Sequence, residues 1–390
     1  MNHIMFSLAR FLRDGGIEAD LLLVPGGAAH FHPSADAFDD DYRGYTRDLT
    51  WGTAASFFKV TGRQVRRDLA RYDAVIGCGF VPAFMEKAGR PLDIFVPRGD
   101  DLVKFPFGVG RRHWLRRLPG AYLSRAQRRG IQHARRIFCP DFYGPYRSAL
   151  ARLGVAYDRV PGTPVYYPQY DRLADASIQR RLAHRDAFDR LRDRWAFLLF
   201  SHARHYWRTS ERIGYRTGKG NNLLIEGFAG FLRESGRPDA AMVLLEYGDD
   251  VAASKALCAR LGIADRICWF PALPRRELMY GARTADVGAD QFPTEDRDGA
   301  YGGCAVELMS LGKPVLGRLF YTAAEFRERV GFPMPPIVNT RSVEDITANI
   351  GALAAQPCEV SARGQAGRAW VRDHYGEGIV SKYLEAIGAA

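Results

Sequence analysis

Between residues 285 and 317 the chain places chemistry on a tight frame. An apolar run, Ala285-Asp286-Val287-Gly288-Ala289-Asp290, enters a polar loop. The glycine-rich turn Tyr301-Gly302-Gly303 follows, and then the helical stretch Cys304-Ala305-Val306-Glu307. At a helix start the N–H groups of Gly302, Gly303 and Cys304 have no helical partner, and such a terminus attracts a phosphate. Glu307 falls about one helical turn further in, where its carboxylate could accept hydrogen bonds from a ribose diol. A purely structural helix, with a glycine pair that permits close packing, accounts for the same residues equally well.

Three further groups have suitable chemistry. Ser201-His202-Ala203-Arg204 follows a strand-like run, and Gly218-Lys219-Gly220-Asn221 precedes a helix. Arg204 offers a bidentate guanidinium and Lys219 a point charge, a pair suited to a diphosphate and equally to an exposed basic loop. In the first half, Asp93-Ile94-Phe95-Val96 runs into Pro97-Arg98-Gly99-Asp100, so Arg98 and Asp100 stand where a strand end faces a cleft. A turn capped by aspartate explains that segment as well. His30 and His32 lie in a long early loop and are weaker candidates for substrate contact.

The 285–317 stretch resembles the donor-site signature of family 4 glycosyltransferases of the GT-B fold. In that family two glutamates with seven residues between them frame the glycine-rich helix start, and a Gly-Lys-Pro-Val stop follows, as Gly312-Lys313-Pro314-Val315 does here. Glu307 matches the second glutamate and Tyr301-Gly302 the aromatic–glycine step. Gly299 stands where the first glutamate belongs, and Asp298 or Glu295 is the nearest substitute. Arg204 and Lys219 are similar to the family's paired cations, Tyr247-Gly248 to its glycine turn, and Phe270, Ala272 and Leu273 to the segment beside the nucleotide base. The resemblance is clear from about Trp195 onward and diffuse before it.

The resemblance implies two Rossmann-like α/β domains facing a central cleft, with a C-terminal helix crossing back to the first. It also implies transfer of a sugar from a nucleotide-diphosphate donor, of UDP or GDP type, to a hydroxyl acceptor. Configuration would be retained, and neither metal nor other cofactor is called for. Arg204, Lys219, Arg98 and Asp100 are the catalytic candidates. Two other readings remain: a degenerate nucleotide-sugar binder without activity, and a metal-dependent transferase using Asp296 and Asp298.

The elements that must position these residues are legible as alternating apolar strands and helical stretches, the pattern of a parallel α/β protein. Residues 1–168 read as an acceptor-side domain, 169–194 as a linker, 195–374 as the donor domain and 375–390 as the returning helix. The chain opens in a helix where such a half normally opens in a strand. The preferred explanation is a first strand lying ahead of residue 1.

Composition narrows the field further. The chain has 390 residues, 47% hydrophobic and 25% charged, which fits about two globular domains. No apolar run approaches the ~20 residues of a membrane span, and the first residues lack the pattern of a secretory signal. The six cysteines are scattered, so a cytoplasm is the expected compartment. Neither His30 with His32 nor His202 with His205 sits in a zinc frame.

The formal charge is +11, and much of it comes from one acid-free stretch, Leu102–Pro140. That stretch contains Lys104, Arg111, Arg112, Arg116 and six more arginines. With interleaved Trp114, Leu115 and Tyr122 it reads as a surface for an anionic acceptor, lipid-linked in one version, or for anionic headgroups at the inner face of the membrane. Arg111, Arg112 and Arg116 are its acceptor-side candidates. Nucleic acid is not expected as a partner, because no recognition module is present.

Overall fold

The computed structural model describes residues 4–27, 32–108, 117–140, 144–162, 164–209, 218–294 and 301–388. In the first half, β1 (Leu21–Leu23) and β2 (Thr46–Asp48) pair as a small parallel sheet. A separate four-stranded parallel sheet runs in sequence order through β3 (Ile76–Gly77), β4 (Ile94–Phe95), β5 (Arg136–Cys139) and β6 (Asp158–Arg159). Trp51, Phe57, Phe84 and Phe95 fill the core on one side of it.

The second half is built on β7 (Phe197–Ser201), β8 (Ala240–Glu246), β9 (Ile267–Pro271), β10 (Val287–Ala289), β11 (Val315–Gly317) and β12 (Val338–Asn339). They form one parallel sheet in the order β12-β11-β10-β7-β8-β9. All five residues of β7 are buried, as expected for a parallel strand covered on both faces. Its side chains alternate between two cores. Phe197 and Leu199 join Phe228 and Phe231 on one face, while Leu198 and Phe200 face the other. The second core continues into the first half through Leu8, Phe11, Ile94 and Phe138.

Segment 169–194 does not hang between the halves. Phe188 stacks on Phe270 at 4.3 Å, and Glu277 accepts backbone hydrogen bonds from Ala183 and His184 at 2.9 and 3.0 Å. At the other end, helix Pro357–Tyr375 breaks at Gly376 into helix Glu377–Ala386. Tyr383 of that last helix meets Phe138 edge-on at 4.8 Å, and the helix packs against Ile4–Asp14. Two α/β domains and a C-terminal helix returning to the first are therefore present.

Candidate functional site

The strand order of the second sheet reverses between β7 and β10, and in open α/β sheets ligands bind beyond the carboxyl ends at such a point. The loop after β7 begins at His202, and the loop after β10 begins at Asp290. Lys219 is braced from both sides: its N–H donates to the Tyr206 carbonyl, and its own carbonyl accepts from the Phe292 N–H at 2.9 Å. Its ammonium donates to Gln291 Oε1 at 2.5 Å. Gly220 follows with φ of 64°, and a Cβ there would lie 2.0 Å from the Phe292 carbonyl oxygen. Only glycine lets the chain turn this close to the neighbouring loop. Asn221 completes the brace, accepting from the Tyr206 N–H and donating to the Ala203 carbonyl.

Beyond β10, helix Gly303–Ser310 begins without a side-chain cap. Gly302 donates its N–H to Asp290 Oδ2 at 2.5 Å, and a Cβ at Gly302 would overlap that carboxylate, 2.2 Å from Oδ1. Burial pushes the Asp290 carboxyl up, despite the Gly302 hydrogen bond and the nearby charges of Lys219 and His202. Asp290 thus adjoins both the helix start and the Lys219 charge.

Glu307, the candidate ribose acceptor, is buried and paired within the protein. It is 3% exposed. His202 Nε2 pairs with its Oε2 at 2.7 Å, and Arg275 Nη1 donates to its Oε1. Arg275 also reaches the Tyr170 hydroxyl at 2.7 Å and Asp36 Oδ1 at 3.0 Å. Asp36 in turn meets Arg10 at 2.5 Å, and Gln169 bonds both Arg10 and Asp36. A buried polar chain thus runs from the first helix of one domain to helix Gly303–Ser310 of the other. Burial alone would raise the Glu307 carboxyl, but Arg275 and His202 outweigh it and hold it well below the usual carboxylate range.

His202 and His205, close in sequence, have opposite surroundings. Burial lowers both, but Cys304 and Glu307 beside His202 outweigh it and hold the imidazolium up to about 10. His205 has only the charge of Asp250 to offset burial and falls to about 4. It is a neutral residue bonded to Ser254 Oγ at 2.8 Å. Nothing in the spacing distinguished them, because the difference lies in what each ring meets after folding.

The remaining candidates are dispersed. Arg204 is exposed, its guanidinium 4.8 Å over the Tyr206 ring and its stem against Gly248, while His202 occupies the buried position after β7. Tyr301 faces away from the helix start into the core, its hydroxyl 2.8 Å from that of Tyr375, because Phe326 and Trp370 enclose its ring. Phe270 is buried against Phe188, whereas Ala272 and Leu273 retain exposure. Tyr247 is 45% exposed beside Gly248.

In the first domain, Arg98 and Asp100 are exposed, and Asp100 pairs with Lys104 at 3.0 Å. The buried member of that loop is Asp101, which accepts from the N–H groups of Arg98 and Gly79 at 2.8 and 2.9 Å. His32 caps a short turn, its Nδ1 accepting from the Ser34 N–H. His30, Arg111, Arg112, Arg116, Asp296, Asp298 and Gly299 lie outside the described residues. The acid-free stretch also acquires acids from elsewhere. Arg129 meets Glu86 at 2.8 Å, Arg135 meets Asp93 at 3.2 Å, and Arg136 meets Asp158 at 2.7 Å. Part of the surplus seen along the chain is therefore neutralised in space.

Two domains, a switch-point site in the second and a returning terminal helix define the GT-B fold. No protein-family model matches the sequence. In structure the chain is similar to Anabaena HepE in complex with UDP and glucose, with a TM-score of 0.60 and 14% identity over 100% of this chain and 96% of that one. It is also similar to a glycosyltransferase from Rickettsia africae, with a TM-score of 0.59 and 12% identity over 99% and 93% of the two chains. Sucrose-phosphate synthase from Thermosynechococcus elongatus gives 0.57 and 14% over 99% and 93%. In sequence, 163 residues are 28% identical to a GDP-mannose-dependent alpha-(1-6)-phosphatidylinositol monomannoside mannosyltransferase of Mycolicibacterium smegmatis. That match spans 40% of this chain and 41% of the relative.

Proposed function

We propose that this chain is a glycosyltransferase that moves a sugar from a UDP- or GDP-type donor to a hydroxyl acceptor, in the manner of family 4. One observation carries the reading: a braced ammonium, Lys219, and the uncapped start of helix Gly303–Ser310 both adjoin Asp290 at the switch point of a GT-B fold. In the reaction the acceptor oxygen bonds to the anomeric carbon as the bond from that carbon to the diphosphate oxygen breaks. The departing diphosphate takes the bonding electrons, and Lys219 with the N–H groups of Gly303 and Cys304 stabilises the charge it gains. The acceptor proton passes to a donor phosphate oxygen on the same face, so configuration is retained without a protein nucleophile or a metal.

The named partners of the similar proteins, UDP in one and GDP-mannose in the other, support testing both nucleotides. A thermal-shift panel of UDP, GDP, ADP and CMP is the direct experiment, since a ligand bound only by the native state raises Tm. UDP or GDP should stand out. An equal response to all four, or to none, would overturn the donor-site reading.

The engagement of Glu307 by Arg275 and His202 favours one second reading, a nucleotide-sugar binder without transfer. Binding with no sugar released or transferred to any acceptor would support it. The acceptor-side proposal is a lipid-linked hydroxyl at the inner, cytoplasmic face of an anionic membrane. No helix of the described residues is long and apolar enough to cross a membrane. Exposed Phe58 and Tyr122, their rings 6.4 Å apart, adjoin the basic segment and suit peripheral contact. Cosedimentation with phosphatidylglycerol vesicles, compared with phosphatidylcholine vesicles, tests this contact.

A further inference from the structure

We propose that His202 is a ligand-binding cation of the donor site, donating its Nδ1–H to an oxygen of the nucleotide's diphosphate. The proposal rests on the donor-site reading above and adds a residue to it.

An imidazolium has two N–H donors. The Nε2–H of His202 is used by Glu307, whose Oε2 is 2.7 Å away. The side chain is only 5% exposed, and Nδ1 is buried with no hydrogen-bond partner among the described residues. A buried donor without an acceptor is costly, and a charged one more so. The missing acceptor has a natural source. Cys304, the second residue of the uncapped helix Gly303–Ser310, interacts with the His202 ring. The orphan N–H groups of that helix start, the Lys219 ammonium and the His202 ring therefore border the same space beyond β7 and β10.

The surroundings keep the ring charged for this role. Glu307 and Cys304 face it from the helix, Asp290 from the end of β10, and Phe200 from β7 with its ring 6.1 Å away. Arg275 occupies the other Glu307 oxygen, so the carboxylate is held against the imidazole. His205 also leaves a buried ring nitrogen, Nε2, without a partner, but burial keeps that ring neutral and no carboxylate of the described residues pairs with it.

The experiment titrates the full-length protein with UDP and with GDP by calorimetry. It compares wild type with His202→Gln and His202→Arg, and follows ¹⁵N-histidine ring signals during the titration. Glutamine removes the charge and should weaken nucleotide binding by roughly tenfold or more, the scale of a lost hydrogen bond to a charged group. Arginine restores a cation and should recover most of the affinity. In wild type, the ring signal that His202→Gln removes should shift at Nδ1 as nucleotide binds.

Equal affinity in wild type and His202→Gln, or an unmoved Nδ1 signal on binding, would overturn the role of His202 and leave the donor site standing. Failure of wild type to bind either nucleotide would overturn the donor site itself. Should His202→Gln fail to fold by circular dichroism, the His202→Gln/Glu307→Gln pair takes its place. It removes both members of the ion pair, so no buried carboxylate is stranded, and the same loss of affinity is expected.

Discussion

The two halves of this protein share a parallel α/β plan and differ in how strongly they express it. In the second, six strands make one continuous sheet, with up to seven residues in β8. In the first, strands of two to four residues fall into two separate sheets. A long strand buried on both faces must be an uninterrupted apolar run, whereas a two-residue strand leaves almost no pattern. The clearer half also holds the switch-point site. The other contributes to that site by side chains alone, Arg10 and Asp36, through a polar chain no local pattern announces.

This asymmetry can be tested by attacking its connections. The largest expected effect is at the bridge between the halves. Arg275→Met leaves Asp36 and Glu307 buried without their shared cation, a change that typically costs about 3–5 kcal/mol. Urea unfolding should show the loss, and a wild-type midpoint would mean the interdomain chain adds little. Next comes the site of the second half: Lys219→Ala should lower turnover of order 10²-fold or more, as lost electrostatic stabilisation does elsewhere. Its Tm should remain near wild type, because the Lys219 side chain is partly exposed.

A smaller effect follows from pH. The folded-state value of His202 lies above its ordinary 6.5, at about 10. Its stabilising contribution is therefore complete below about pH 6.5 and fades as pH rises through about 10. Thermal unfolding from pH 6 to 10.5 should show a steeper alkaline decline in wild type than in His202→Gln. Parallel curves would argue against the ion pair. Smallest of all is the surface: Lys104→Ala removes an exposed pair with Asp100 and should change stability by less than about 1 kcal/mol. A larger loss would mean that the first half depends on its surface ion pairs more than the second does.

Much of the second half was legible because its signals are local. The helix start at Gly303, the Lys219-Gly220 turn and the run Phe197–Ser201 each arise from neighbours in the chain, and burial reinforces what local preference already favours. The short strands β2, β6 and β12 were not readable, since two or three residues carry no period. Nor was the exchange of Arg204 for His202 at the buried position. Both follow the same strand and bear suitable groups, and only the course of the loop decides which one turns inward.

The sequence alone determined the α/β class, the order of the second half's elements and the residues proposed to hold a phosphate. These depend on apolar periodicity, glycine placement and residue type within a few positions. Tertiary structure decided the state and partners of those residues. It closed Glu307 between Arg275 and His202, turned Tyr301 into the core, and set acids from other segments against the basic stretch. Charge and burial depend on which groups meet in space, and here the meetings span more than a hundred positions, as between His202 and Glu307.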